Sequence, residues 1–386
     1  MNCKTTMLRI VKLSALLLPA IMLILLYPIN DFDDSVRIRN FYLEPADSLD
    51  VIVLGSSEDY AGYSPVLAYE EYGFTSYPFV FSANAFALFE EQLEEAIRNQ
   101  SPQIIVVDVG EVLAPKSDVD VVLRELTAGI PLSQNKIRMI EQHGDREHIL
   151  SYYFPFIVNH GKANFKEMKT YLKDNLSVRH RGYSLLKGAI TFTGSGENWD
   201  GPYVAPINTA GDASTAELPP EVIAECQAVL DACARYPQIR FVFFNAPHRL
   251  TTEERYQWYQ RMNALGEMIR ANGFDFYNFD GMTDQIGIVP ETDFYNNHHM
   301  NLYGQYKTTR FLCDILTGIE GFSPRSQTPE NQAKWDTCVE YGHLYYRLFE
   351  EEFRSRDPEE FGLWLQESAW LSGKLEEMKQ SDTLAP

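Results

Sequence analysis

Apolar residues in this chain come in short, dense runs rather than long stripes. Val51 to Leu54 (VIVL) is closed by Gly55-Ser56-Ser57, and a run bounded this way predicts a buried strand of a parallel sheet. Residues 75–81 (TSYPFVF), Ile104 to Val107 (IIVV) and Arg240 to Phe244 (RFVFF) repeat the pattern, and Phe274 to Asn278 is a weaker fifth. Between the runs the period lengthens. Ser64-Pro65 opens a helix (SPVLAYEEYG) with serine as cap, proline in the first turn and Gly73 as the stop, and Ala85 to Asn99 is amphipathic. Strands alternating with helices predict a three-layer α/β domain around a mainly parallel sheet. Ligands of such sheets gather at the carboxyl ends of strands, where Ser56, Ser57, Asp108, Asn245 and His248 fall.

The stretch between the third and fourth strands is too long for a simple crossover and reads as an insertion, at about 112–236, folded over the strand ends. Within it Leu132 to Gln142 and Asn164 to Lys173 have helical patterns, and Gly194 to Pro219 reads as an exposed loop. Ser151 to Val158 (SYYFPFIV) is strongly aromatic, which fits either core packing or a platform that stacks on sugars. Beyond residue 320 the chain turns acidic and helical (YRLFEEEFRSRDPEEFGLWLQ), expected to pack on the outside of the domain.

The N-terminal 30 residues differ from the rest. Lys4, Arg9 and Lys12 precede the apolar run Leu13 to Ile29, and Asp31, Asp33 and Asp34 follow it. That run is short for a span and long for a signal-peptide core, with no small-residue cleavage pattern behind it. The basic flank stays in the cytoplasm, so the expectation is a single anchor with residues from about 31 outward in the extracytoplasmic space; a cleaved signal peptide is the rival reading and places the domain outside as well. The organisation is thus an anchor at 1–30, an α/β domain with its insertion at 31–320, and a helical extension at 321–386.

Composition narrows the function. A hydrophobic content of 45% supports a core, and the formal net charge of -21 makes a polyphosphate partner such as nucleic acid a poor fit. Five cysteines without a CxxC pair give neither a disulfide framework nor a redox motif. Cys226 and Cys233 lie two turns apart along a helix, too distant to bridge. His298–His299 lacks the helical partner or carboxylate cluster of a metal site, so no metal or other cofactor is expected.

Two segments carry candidate chemistry: Leu54-Gly55-Ser56-Ser57-Glu58 after the first strand, and the run from Asp293 to Gly304 (DFYNNHHMNLYG) near the end of the α/β region. A serine nucleophile needs an imidazole to take its proton and a third group to hold that imidazole. Ser57 and His299 suit the first two roles. A helix cap for Ser57 and a hydrogen-bonded loop position for His299 are the plain structural readings. Asn245 and His248 read as strand terminators, His298 as exposed, and His160 as either site-lining or internal to the insertion.

The segments VIVLGSSEDYAGYSP, LAYEEYGFTSY, FEEQLEEAIRNQSPQIIVVDV, IPLSQNKI, SYYFPFIVNH and DFYNNHHMNLYG resemble the SGNH (GDSL-type) hydrolases. The similarity is greatest to the membrane-anchored branch represented by D-alanyl transfer proteins of teichoic acid synthesis. The resemblance implies a flavodoxin-like parallel sheet, Ser57 as nucleophile, His299 as general base, and a helix-starting turn at Asn301 and Gly304. The family's orienting aspartate falls on Asn296, with Asp293 three residues earlier as the alternative. Where the family offers an oxyanion glycine, this chain reads Phe79-Val80-Phe81-Ser82, leaving the Ser57 N–H with Ser82 or Asn84 as helpers. Where it offers an asparagine, this chain has Asp108, and an ionised aspartate there repels a developing oxyanion. The function so implied is serine-dependent acyl transfer to, or ester hydrolysis on, a cell-surface polysaccharide or teichoic-acid-like polymer, alongside a membrane-bound acyl exporter. A scaffold that keeps the fold and binds glycan without efficient catalysis is the alternative.

Overall fold

The computed structural model describes residues 33–82, 86–114, 118–153, 184–192 and 204–354, with short pieces at 13–15, 17, 371–375 and 377–378. The elements run α1 (Asp33–Phe41), β1 (Val51–Leu54), α2 (Ser57–Gly62), α3 (Pro65–Tyr72), β2 (Ser76–Pro78), α4 (Phe89–Asn99), β3 (Ile104–Asp108) and α5 (Gly110–Leu113). They continue with α6 (Val119–Gly129), α7 (Gln134–His143), α8 (Ile149–Tyr153), α9 (Pro220–Ala234), β4 (Arg240–Asn245) and α10 (Glu253–Ala271). Last come β5 (Asp275–Asn278), α11 (Thr283–Ile286), α12 (Leu302–Thr317) and α13 (Pro329–Arg354). The five strands form one sheet in the order β2-β1-β3-β4-β5, every pair parallel.

The dense apolar runs become central strands because both faces of the sheet are covered. Alternate residues point to opposite sides. Ile52, Leu54, Ile105, Val107, Phe241 and Phe243 meet α4, α6, α9 and α10 on one face, while Val51, Val53, Ile104, Val106, Val242 and Phe244 meet α12 on the other. The α3 punctuation is as its sequence predicts: Ser64 caps the Leu67 N–H and Gly73 closes the helix at φ 78°. Residues 75–81 contribute only a three-residue strand; the Phe79 N–H still bonds the Val53 carbonyl at 2.9 Å, and Phe79 and Phe81 pack into the core.

α6, α7 and α8 lie within the insertion; α6 packs on α1, α7 on α4, and α8 on α6. Of the two readings of the aromatic stretch, core packing holds at Tyr152, which is 1% exposed and donates its hydroxyl to Asp120. Phe154 to Val158, His160 and the helix expected at 164–173 lie outside the described residues. α13 packs against α3, with Trp335 buried and its ring 4.9 Å from that of Tyr69. Lys187, fully buried, lays its ammonium 2.9 Å from both carboxylate oxygens of Glu44 and 4.1 Å above the Trp335 ring. That contact ties the middle of the insertion to α13 and to the segment after α1. Almost all of the apolar run 13–29 lies outside the described residues, and no helix among them is long and apolar enough to cross a membrane.

Candidate active site

β1 and β3 are neighbours although β2 lies between them in the chain, so the connections leave the sheet in opposite directions at their carboxyl ends. A crevice opens at such a point. Gly55 turns the chain there, and only glycine fits: a Cβ would lie 1.8 Å from Asp59 Oδ2 and 2.9 Å from Asp108 Cβ. Ser56 caps α2, accepting from the Glu58 N–H, while the Asp59 carboxylate accepts the Ser56 N–H at 2.6 Å. The capping duty therefore falls on Ser56 and leaves Ser57, the first residue of the helix, free for other use.

The second half of the site is a folded-back loop. Asn296 accepts the backbone N–H of His298 (3.0 Å) and of His299 (2.8 Å) on its Oδ1, and Phe294 bridges Met300. Asn301 caps α12 through the N–H groups of Tyr303 and Gly304. Gly304 is required for close approach, since a Cβ would sit 2.3 Å from the Asp293 carbonyl oxygen. Phe192, from within the insertion, stacks on Tyr295 at 4.5 Å and lies 5.2 Å from the His299 ring.

These halves meet with His299 Nε2 2.8 Å from Ser57 Oγ. On the other side of the ring, Nδ1 faces both polar atoms of the Asn296 amide, Nδ2 at 3.0 Å and Oδ1 at 3.2 Å. Asn296 therefore occupies the orienting position. Asp293 does not: it is buried and accepts from Lys307 Nζ at 2.6 Å and from the Val289 N–H at 2.7 Å, which makes it the anchor of the loop. The amide has a consequence that a carboxylate lacks. If Oδ1 accepts from Nδ1–H, Nε2 is free to take the Ser57 proton; if Nδ2–H donates to Nδ1, the ring carries its proton on Nε2 and faces Ser57 as a donor. Burial, then the neighbouring His298, push the His299 pKa down to about 4, so the ring is neutral at physiological pH.

His298 is half-buried rather than exposed, its ring 4.5 Å from that of His299, and burial lowers its pKa. Ser82 Oγ lies 3.3 Å from the hydroxyl of Tyr60 of α2, and Asn84 lies outside the described residues. Asp108 is buried with Oδ1 accepting the Gly110 N–H at 2.8 Å. Burial and then Glu58 raise its pKa well above the usual carboxylate range, which weakens the charge that would repel an oxyanion. Asp59 is raised in the same way, by burial and then by Asp108.

Asn245 and His248 are more than strand terminators. Asn245 Nδ2 donates to Asp280 Oδ2 at 2.9 Å and to Asn278 Oδ1 at 3.1 Å. His248 Nδ1 lies 3.2 Å from Asp280, and its Nε2 lies 3.1 Å from Glu58 Oε2. Glu58 and Asp280 are the members that the sequence reading missed. Glu58 follows Ser57 directly, and Asp280 follows the weak fifth strand, so each had a positional signal. Among the described residues no group of histidines, cysteines and carboxylates has the geometry to hold a metal ion, and Cys226, Cys233, Cys313 and Cys338 are buried thiols. No protein-family model and no curated protein matches this chain.

Proposed function

We propose that this is a serine-dependent acyltransferase or esterase of the SGNH type, acting on an acylated cell-surface polysaccharide or teichoic-acid-like polymer. The observation that carries the reading is the 2.8 Å contact between Ser57 Oγ and His299 Nε2, at the switch point of a sheet in the 2-1-3-4-5 order common to flavodoxin-like folds. Ser57 Oγ attacks the ester carbonyl carbon as its proton passes to His299 Nε2. The C–O bond to the first alcohol then breaks, and His299 returns the proton to the departing oxygen. A sugar or polyol hydroxyl, or water, next attacks the acyl-serine, giving its proton to His299 and restoring Ser57. The Ser57 N–H, with Ser82 as a helper, is the candidate oxyanion donor. The apolar run at 13–29, basic before and acidic after, supports tethering outside the cytoplasmic membrane beside an acyl exporter.

The alternative, a glycan-binding scaffold with residual catalysis, is favoured by one observation: the Asn296 amide supports both tautomers of His299 where a carboxylate supports one. The test is burst kinetics on a chromogenic acyl ester and release of acetate from an acetylated glycan. Turnover abolished by Ser57→Ala and by His299→Ala supports the enzyme. Wild type as inert as Ser57→Ala, with glycan binding intact, hands the protein to the scaffold reading.

A further inference from the structure

Two adjacent side chains after β4 reach the two halves of the site. His248 lies against α2, with its Nε2 3.1 Å from Oε2 of Glu58, the residue next to Ser57. Its Nδ1 is 3.2 Å from both carboxylate oxygens of Asp280, and its backbone N–H donates to Asp280 Oδ1 at 2.6 Å. Burial opposes a charge on His248, but Glu58 and then Asp280 outweigh it and raise its pKa well above the ordinary range, so both ring nitrogens donate. Arg249 lies against the other half. Its backbone N–H donates to the Asn297 carbonyl at 2.9 Å and its Nη1 to Asn297 Oδ1 at 3.0 Å, on the loop that carries His299. Arg249 Nη2 donates to the Val204 carbonyl at 2.7 Å, and the Leu250 carbonyl accepts the Ile207 N–H at 2.7 Å. Asp280 also accepts from Asn245 Nδ2, so the segment is fastened to the ends of β4 and β5. Both His248 and Arg249 are buried.

We infer that His248 and Arg249 form a clasp that sets the distance between Ser57 Oγ and His299 Nε2: one holds the start of the nucleophile's helix, the other holds the turn that carries the base. The inference rests on reading Ser57 and His299 as nucleophile and base. α12 also holds both halves, but farther along the chain from Ser57 and His299. Its Gln305 Nε2 donates to the Tyr60 carbonyl and its Thr308 Oγ1 to the Gly62 carbonyl, at the end of α2. Its Lys307 binds Asp293, at the start of the loop. Glu58 and Asn297 lie closer to the reacting pair, and consecutive residues of one segment bind them. Each of these contacts has an ionised donor, and such bonds are stronger than neutral ones. A shift of about 1 Å in either half would stretch the 2.8 Å contact beyond hydrogen-bond reach, and misplacement of that size costs about 10²-fold in rate. His248 and Arg249 act through Glu58 and Asn297, which makes both of them positioning residues.

The test uses the full chain with isotope-labelled histidine. Ser57→Ala gives the His299 Nε2 resonance of a ring without its serine partner. In Arg249→Met and in His248→Gln that resonance should move toward the Ser57→Ala position. On a chromogenic ester each variant should lose about 10²-fold in kcat with KM little changed, and neither should lower the residual rate further in a His299→Ala background. A resonance unmoved on either side of the clasp, or an equal loss with and without His299, would mean that the segment only stabilises the fold, and the inference is overturned. If the buried variants do not fold, Asn297→Ala and Glu58→Ala remove the same two bonds from their other ends and carry the same test. Should the protein turn over no ester at all, the enzyme reading fails, and the Nε2 resonance alone still decides whether the clasp sets the contact. A resonance that Ser57→Ala itself leaves unmoved would remove the contact, and both readings with it.

Discussion

The substitution Asn296→Asp replaces an amide that faces Nδ1 of His299 through two atoms, at 3.0 and 3.2 Å, with a carboxylate that only accepts. The backbone N–H groups of His298 and His299, which now donate to Asn296 Oδ1, are already placed to hold one carboxylate oxygen, so the exchange needs no rearrangement. Two unit charges about 3 Å apart at an effective dielectric near 20 attract by about 5 kcal/mol. His299 is partly open to solvent and Glu58 repels the new charge, so about half of that should reach the transition state, roughly 10²-fold in kcat. The same attraction should raise the His299 pKa from about 4 by about two units. Activity requires the neutral ring and is lost as pH falls through that pKa. The acid limb of kcat/KM therefore lies near pH 4 in the wild type and should move up in the variant. Initial rates on a chromogenic ester between pH 3 and 9, with ring NMR of His299, read both quantities. A variant no faster than wild type with an unmoved limb refutes the assignment of Asn296. Loss of activity in Asp293→Ala without change in fold would transfer the role to Asp293.

Three further outcomes follow from buried groups. Asp108 has a raised folded-state pKa, so above about pH 4 the native state binds more protons than the unfolded one and stability falls as pH rises; Asp108→Asn, which keeps an acceptor for the Gly110 N–H, should gain Tm over wild type increasingly from pH 4 to pH 8, and a constant difference contradicts this. Lys187→Ala leaves Glu44 buried without its ammonium and should cost about 3–5 kcal/mol in denaturant unfolding, whereas Lys187→Met with Glu44→Leu should cost much less; equal losses would count against the pair. Gly304→Ala drives a methyl into the Asp293 carbonyl oxygen and Met300 Sδ, which should cost about 1–3 kcal/mol and slow ester turnover by displacing the His299 loop; a fully stable and active variant would show that the loop does not depend on this approach.

The elements were legible because their signals are local. VIVL, IIVV and RFVFF became β1, β3 and β4, since a strand covered on both faces must be apolar throughout. The Ser64 cap and the Gly73 stop needed only neighbouring residues. The pairing of Ser57 with His299 was legible for a related reason: both follow strand or helix boundaries that the pattern marks, and an α/β sheet brings such boundaries to one edge. What the sequence left open was every property set by distance between remote segments. Nothing in its pattern separated Asn296 from Asp293 as the residue facing Nδ1; the bridge between Phe294 and Met300 folds one back and buries the other against Lys307. The sequence could not show either that burial and the neighbouring Glu58 raise the Asp108 pKa well above the usual carboxylate range. Glu58, His248 and Asp280 come from the ends of β1, β4 and β5, and no periodicity links them. Desolvation and Coulomb energy depend on what surrounds a group in three dimensions, so the sequence determined which residues stand at the strand ends, and the packing decided which of them carry charge.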